Sequence, residues 1–243
     1  MKLIKLDAID STNDFLKSLA GSQIVENFTV VTAEKQTKGK GQMGAKWVSE
    51  TGKNLIMSVL IKDLLLDVNQ IYNLNVAVSL SVISALENFA IPKLSIKWPN
   101  DIMSDNKKIG GILIENSIKT NGEIISIVGI GLNINQINFD ELPKASSLSV
   151  IMEKDFDKED VLFKIIKNLK INAAKLLNNQ SEKLWSDYNG KLFKKGIPMP
   201  FENQNGDKFM GIIQDVNDFG RLQIALEDDS IITFGVKEIQ MLY

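Results

Sequence analysis

The chain contains no histidine and no cysteine. The first absence excludes Ser-His-Asp and Cys-His nucleophile systems and imidazole general bases; the second excludes thiolate chemistry. Together they remove zinc sites built from His or Cys. Without cysteine there are no disulfides, and nothing requires an oxidising compartment. Arginine is nearly absent too: Arg221 is the single arginine among 28 cationic residues. A formal charge of −2 provides no overall basic field of the kind that drives nonspecific binding to nucleic acid. No apolar run approaches the ~20 residues that cross a bilayer. The opening MKLIKLDAIDSTND has no apolar stretch of signal length, so the expected location is the cytoplasm. Catalysis is left to Lys, Asp, Glu, Ser, Thr, Tyr, backbone amides or a hard cation such as magnesium.

What is present is an ordinary globular composition: 243 residues, 44% hydrophobic and 24% charged, enough for one large or two modest domains. Phe28 to Ala33 and Asn54 to Ile61 read as buried strands. Between them Glu34 to Lys53 is polar, rich in glycine and aperiodic, which predicts a functional loop. From Val68 to Phe89 apolar residues fall on nearly every side, as in a helix buried on all faces. Leu94 to Trp98 is a short strand stopped by Pro99. Ile109 to Asn116 and Ile124 to Ile130, joined across Thr120-Asn121-Gly122, predict a hairpin and therefore a partly antiparallel sheet. Asp157 is the expected N-cap of a helix running to Leu177, with Glu159 and Asp160 suited to its first turn. After Asn189-Gly190 short strands alternate with turns, as in a small all-β barrel. The expected division is 1–189 and 190–243.

Five segments could carry chemistry. Gln36 to Trp47 holds Gly39, Gly41 and Gly44, and residues 34–53 carry a local net charge of +3, which suits an anionic ligand. The glycines spell a dinucleotide fingerprint and the start of a P-loop. However, no helix follows, and Ala45 and Trp47 stand where a P-loop needs Lys and Ser or Thr. A solvated loop is the competing reading. Lys97-Trp98-Pro99-Asn100-Asp101 presents an amide and a carboxylate at a strand end, where Asp101 could bind magnesium or orient an amine; a plain Asn-Asp turn is the alternative. Lys107 to Glu115 begins a strand with Lys108, Gly110 and Gly111, either for a ligand packed on bare backbone or as a charged edge strand. Gly129-Ile-Gly131-Leu-Asn133 is a second strand of that kind. Asp10-Ser11-Thr12-Asn13 reads as a helix cap.

In that order, Asp-Ser-Thr-Asn, Gln-x-x-Gly-Lys-Gly-Gln, Lys-Trp-Pro-Asn-Asp, Lys-x-Gly-Gly-Ile-Leu-x-Glu and Gly-x-Gly-x-Asn resemble the biotin protein ligases. The likeness runs from Asp10 through Asn135, with a fainter continuation at Ala145 to Leu148. The resemblance implies an α+β fold: a mixed, partly antiparallel sheet packed with helices, as in class II synthetase-like catalytic domains, plus a small C-terminal SH3-like β-barrel. It implies activation of biotin with ATP and Mg2+ to biotinyl-5′-AMP, then transfer to a lysine of the biotin carboxyl carrier protein of acetyl-CoA carboxylase or a related carboxylase. Lipoate ligation and non-catalytic binding of biotin or nucleotide are the alternatives.

By the same resemblance, Ser11, Thr12, Asn13, Gln36, Gly39, Lys40, Gly41, Gln42, Lys108, Gly110 and Gly111 would bind biotin. Lys40, Trp47, Asn100, Lys108 and Asn133 would bind the nucleotide, with the loop ordering around the adenylate. Lys108, Asp101 and Lys97 would be catalytic; the metal ligands are left open. Gln42 and Met43 stand where the family usually carries arginine, which implies a looser hold on the adenylate. Many relatives begin with a DNA-binding domain; with nine residues before Asp10, no DNA-binding role is expected. Homodimerisation through the catalytic sheet occurs in the family, and the sequence does not decide it here.

Overall fold

The computed structural model describes residues 1–64, 70–120 and 122–243. Val68 and Asn121, which the sequence assigns to a helix start and a hairpin turn, lie outside the described residues. Seven strands form one mixed sheet: β1 (Leu3–Ile9), β2 (Val30–Gln36), β3 (Leu55–Ile61), β4 (Leu94–Lys97), β5 (Asp101–Ser104), β6 (Lys107–Ile118) and β7 (Ile124–Leu132). Their order is β1-β2-β3-β7-β6-β5-β4; β1 and β2 run parallel and every other pair is antiparallel. The expected pairing of 109–116 with 124–130 is present in register, Ile112 opposite Ile130. β6 is an internal strand between β5 and β7, so the charged-edge reading of Lys107 and Lys108 does not hold.

Strand alternation gives the sheet two unlike faces. On one, Met57, Val59, Ile112, Val128 and Ile130 join the main core under α2 (Ile71–Glu87) and α4 (Lys158–Leu177). α2 lies between the sheet and α4 and α5 (Ser181–Gly190), which is why its residues from Leu74 to Leu86 are buried on nearly all sides. α4 starts where expected, with the Asp157 carboxylate accepting from the Glu159 N–H and Glu159 and Asp160 in the first turn.

On the opposite face, Leu60, Ile125 and Ile127 pack against α1 (Thr12–Ser22) through Leu16, which is fully buried. Burying a leucine contributes roughly 2 kcal/mol, and this contact fixes the start of α1 on the sheet. The Ser11 hydroxyl caps that start by accepting from the Asp14 N–H at 3.3 Å. α1 covers only part of the face. Farther along the same strands the side chains stop, because positions 111, 129 and 131 are glycine.

Several boundaries differ from those expected. β2 begins at Val30 and runs on to Gln36, so the first part of the supposed loop is strand. The rest is not featureless: Gln42–Gly44 forms a 3-10 turn and Lys40 bridges Lys46. β1, α5 and a short α3 (Leu148–Met152) are additional elements. Beyond them, β8 (Pro198–Asn203), β9 (Lys208–Val216), β10 (Leu222–Ala225), β11 (Ile231–Phe234) and β12 (Ile239–Met241) form a separate antiparallel sheet, order β11-β10-β9-β8-β12. The Trp98 indole N–H, next to a cis Trp98–Pro99 peptide, donates to the Gly220 carbonyl at 2.9 Å and ties the two sheets together.

Candidate active site

The incomplete cover over the large sheet leaves a cleft of about 330 Å³. Its floor is bare backbone. Gly129 and Gly131 sit two residues apart on β7, and Gly111 pairs with Gly131 from β6. A methyl group at Gly129 would lie 2.6 Å from the Asn13 side-chain oxygen, and one at Gly131 would lie 2.7 Å from the Trp47 indole. The floor therefore requires glycine because two side chains rest directly on it.

The α1 end of the floor is polar and buried. Ser11, Thr12 and Asn13 are each less than 5% exposed. Gln36 Oε1 accepts from the Thr12 backbone N–H at 2.8 Å and lies 3.0 Å from the Thr12 hydroxyl. Asn13 donates from Nδ2 to the Glu115 carboxylate at 2.7 Å. Beneath them the Ser58 hydroxyl lies 2.8 Å from Thr12 Oγ1 and 2.6 Å from Asn13 Oδ1. Ser58 was not expected to matter; a lone hydroxyl in the middle of Leu-Ile-Met-Ser-Val-Leu-Ile was the available signal. Between the ends, Ile56, Leu113 and Trp47 supply an apolar lining.

The far end is charged. Asp101, at the start of β5, accepts an ion pair from Lys108 at 2.5 Å and faces Lys97 at 3.9 Å. Lys108 reaches it across the bulge between Ile102 and Met103, and its main chain is pinned by Lys144 and Ser146. Burial pushes the Lys97 ammonium below its ordinary pKa, partly offset by Asp101 and reinforced by Lys108 and Lys144. The sign of the consequence follows. Between that lowered value and 10.5 the unfolded chain holds a proton the folded chain has released, so stability rises with pH across that window. Lys97→Met should abolish the rise, as read from thermal midpoints of both proteins along an alkaline pH series. An unchanged slope in the variant would refute the assignment.

The loop roofs the cleft and is latched at three points. Lys38 pairs with Asp10 at 2.8 Å, Lys40 with Asp14 at 2.7 Å, and Lys237 from the second sheet donates to the Met43 carbonyl at 2.9 Å. The glycines act differently from expectation. Gly41 N–H is turned inward onto the Ala45 carbonyl at 2.7 Å, so it is not aimed at an anion. The left-handed residues are Met43, Gly44 and Gly52, at φ 54°, 83° and 76°. Gly39 is required because a Cβ there would strike the Trp47 carbonyl oxygen.

Most of the expected site residues line this one cleft: Ser11, Thr12, Asn13, Gln36, Lys40, Gly41, Gln42, Trp47, Lys97, Asn100, Asp101, Lys108 and Gly111. Three do not. Gly39 packs against the Trp47 main chain, and Gly110 packs against the Leu132 side chain. Asn133 is 6% exposed and donates to the Ser146 carbonyl at 3.0 Å, bracing the segment behind Lys108 instead of facing the cleft. Asn100 does line the cleft, with its amide N–H committed to the Ile112 carbonyl at 2.6 Å. Phe201, Ile213, Leu222, Val236, Lys237 and Met241 of the second sheet complete the wall, a contribution no local motif announced.

A buried polar pocket, an apolar channel and a lysine–aspartate pair thus lie in line along a glycine floor. The Biotin/lipoate A/B protein ligase family model matches residues 6–135, and the chain belongs to that family. It is 30% identical to a biotin protein ligase from Aquifex aeolicus solved in complex with biotin and ATP, with a TM-score of 0.80 over 99% of this chain and 98% of that one. A variant of the same Aquifex protein in complex with biotin gives a TM-score of 0.81. The biotin–[acetyl-CoA-carboxylase] ligase of Mycobacterium tuberculosis is 28% identical over 91% of this chain and 82% of its own length. The bifunctional ligase/repressor of Bacillus spizizenii is 33% identical over 68% of this chain, which spans about half (51%) of that protein. The mixed α+β architecture with a separate antiparallel C-terminal sheet is thus the architecture of solved biotin ligases.

Proposed function

We propose that this chain is a biotin protein ligase. It condenses biotin with ATP to biotinyl-5′-AMP and passes the biotinyl group to one lysine of a biotin carboxyl carrier protein, that of acetyl-CoA carboxylase or a related carboxylase. The observation that carries this reading is the single cleft joining the buried pocket at Ser11–Asn13 and Gln36 to the Lys108–Asp101 pair.

In the first step a biotin carboxylate oxygen attacks the α-phosphorus and pyrophosphate leaves. Lys108 draws the carboxylate and the phosphoryl oxygens together and stabilises the negative charge that gathers on them. Leaving Asp101 for the phosphate does not orphan that carboxylate, because Lys97 stands 3.9 Å away. In the second step the carrier amine attacks the acyl carbon of the mixed anhydride, forming the amide and expelling AMP. Asp101 holds the incoming amine and helps remove its proton. The loop covers the adenylate and keeps water from it, with Trp47 leaving Gly131 to stack on the adenine.

Among the described residues no group of three or more acidic side chains could hold a metal ion. Asp101 and Asn100 line this end of the cleft and would supply oxygen donors. That set fits a magnesium ion held mostly by phosphate oxygens and water, which supplies charge neutralisation when bound.

Lipoate is the rival acid, and the paired polar groups around Thr12 favour a ureido ring over a dithiolane. Mass spectrometry of the purified protein with ATP and magnesium, given biotin or lipoate in parallel, tests the choice. Biotinyl-AMP from biotin alone is expected; lipoyl-AMP alone would overturn the reading.

A further inference from the structure

The polar end of the cleft contains a row of four oxygens: Asn13 Oδ1, Ser58 Oγ, Thr12 Oγ1 and Gln36 Oε1. Successive members are 2.6, 2.8 and 3.0 Å apart, so there are three hydrogen-bond contacts. The two end oxygens belong to amides and carry no proton. Their orientation is fixed from outside the row. Asn13 must present Nδ2 to Glu115, which as a carboxylate only accepts, at 2.7 Å. Gln36 must present its oxygen to the Thr12 backbone N–H at 2.8 Å. Two hydroxyl protons therefore serve three oxygen–oxygen contacts, and however the hydroxyls turn, one contact is left without a proton. Ser58 is fully buried, and Thr12 and Asn13 nearly so, so a donor that makes up the shortfall can reach the row only from the cleft, at the half-buried Gln36 end.

We propose that this missing proton is what selects the substrate, and that Glu115 and Ser58 are the positioning residues that create it. A ligand ring N–H delivered to the Thr12–Gln36 end completes the row. At the same place Gln36 Nε2, whose partner oxygen is already engaged, donates to a ligand carbonyl. The pocket thus requires a donor beside an acceptor, which is the edge of a cyclic urea. A dithiolane brings neither group and leaves the row short. The identity of the ligand rests on the ligase reading above; the proton count rests on the distances alone.

Glu115→Gln is the decisive variant. A glutamine at this position can accept as well as donate through its amide, so Asn13 is free to turn over and send its N–H toward Ser58. The row is then satisfied without a ligand. Calorimetric affinities for biotin, desthiobiotin and lipoate should be compared in wild type, Glu115→Gln and Ser58→Ala. Desthiobiotin keeps the urea and loses the sulfur ring. In Glu115→Gln, biotin and desthiobiotin should weaken together by about tenfold or more while lipoate hardly changes, so the biotin-to-lipoate ratio contracts. Ser58→Ala should contract it in the same direction. Equal weakening of all three acids, or an unchanged ratio, would overturn the proposal and leave Glu115 a structural support. Wild-type protein that neither binds biotin nor forms biotinyl-AMP would overturn the ligase reading and this assignment with it. Biotin adenylation with an unchanged ratio in Glu115→Gln would overturn the proton count alone.

Discussion

Lys108→Met should form biotinyl-AMP about two to three orders of magnitude more slowly than wild type while binding biotin almost as well. The two effects separate because the floor separates the two ends of the ligand. The head pocket is built on Gly129, and the lysine faces Gly111 opposite Gly131, one strand repeat of about 7 Å farther along. Removing the ammonium takes away the charge that meets the attacking carboxylate and the phosphoryl oxygens, and removes nothing from the contacts around Asn13. Stability should change little. The Lys108–Asp101 pair is partly exposed, with the lysine side chain at 37%, and Lys97 remains to face the aspartate. Single-turnover adenylate formation followed by mass spectrometry gives the first quantity and calorimetric titration with biotin the second. Lys108→Arg should recover part of the rate, because it restores the charge with a differently shaped donor. An adenylation rate within tenfold of wild type in the methionine variant would remove Lys108 from the chemical step.

The parts of this site that the sequence revealed are those whose physics is local. Ser11 and Asp157 cap helices through the N–H groups that follow them, so they were legible as caps. The pairing of β6 with β7 was legible because two apolar runs flank a turn signal. The glycines of β6 and β7 pointed to bare backbone, although only the fold distinguishes Gly111, which faces the cleft, from Gly110, which abuts Leu132. Asn133 was misplaced for a related reason. β7 ends at Leu132, and the following amide turns under Lys108 to hold Ser146. Other features depend on contacts between segments far apart. Lys237 meets the Met43 carbonyl across 194 positions, and Ser58 gains its meaning only from Thr12 and Asn13 beside it. The edge strand β1, with its charged and half-exposed residues, gives little of the alternation that marks a buried strand.

Gly129→Ala should nearly abolish biotin binding, while the neighbouring Gly131→Ala should spare it and impair the nucleotide step. The substitutions add the same methyl group two residues apart, and the difference lies in what each would strike. At Gly129 the methyl would stand 2.6 Å from Asn13 Oδ1 and 3.1 Å from both Cγ and Nδ2. Asn13 cannot yield cheaply. It is 4% exposed and held at both ends, by Glu115 at 2.7 Å and Ser58 at 2.6 Å, on a helix whose Leu16 is locked in the core. Displacing the amide breaks two buried hydrogen bonds, at about 1–3 kcal/mol each. A loss of about a hundredfold or more in biotin affinity is therefore expected, with a lowered melting temperature. At Gly131 the obstacle is the Trp47 ring, 2.7 Å away, and it belongs to a loop joined to the body by exposed lysine contacts. That ring can swing away at small cost. Its buried indole N–H has no hydrogen-bond partner to lose. Gly131→Ala should therefore fold with near-normal stability, lose the latched loop, and become more open to trypsin at Lys40 and Lys46. Its KM for ATP should rise with biotin affinity within a few-fold of wild type. If both alanine variants weakened biotin equally, the floor would be a single binding surface and not two stations, one under the ring of the acid and one beside its carboxylate.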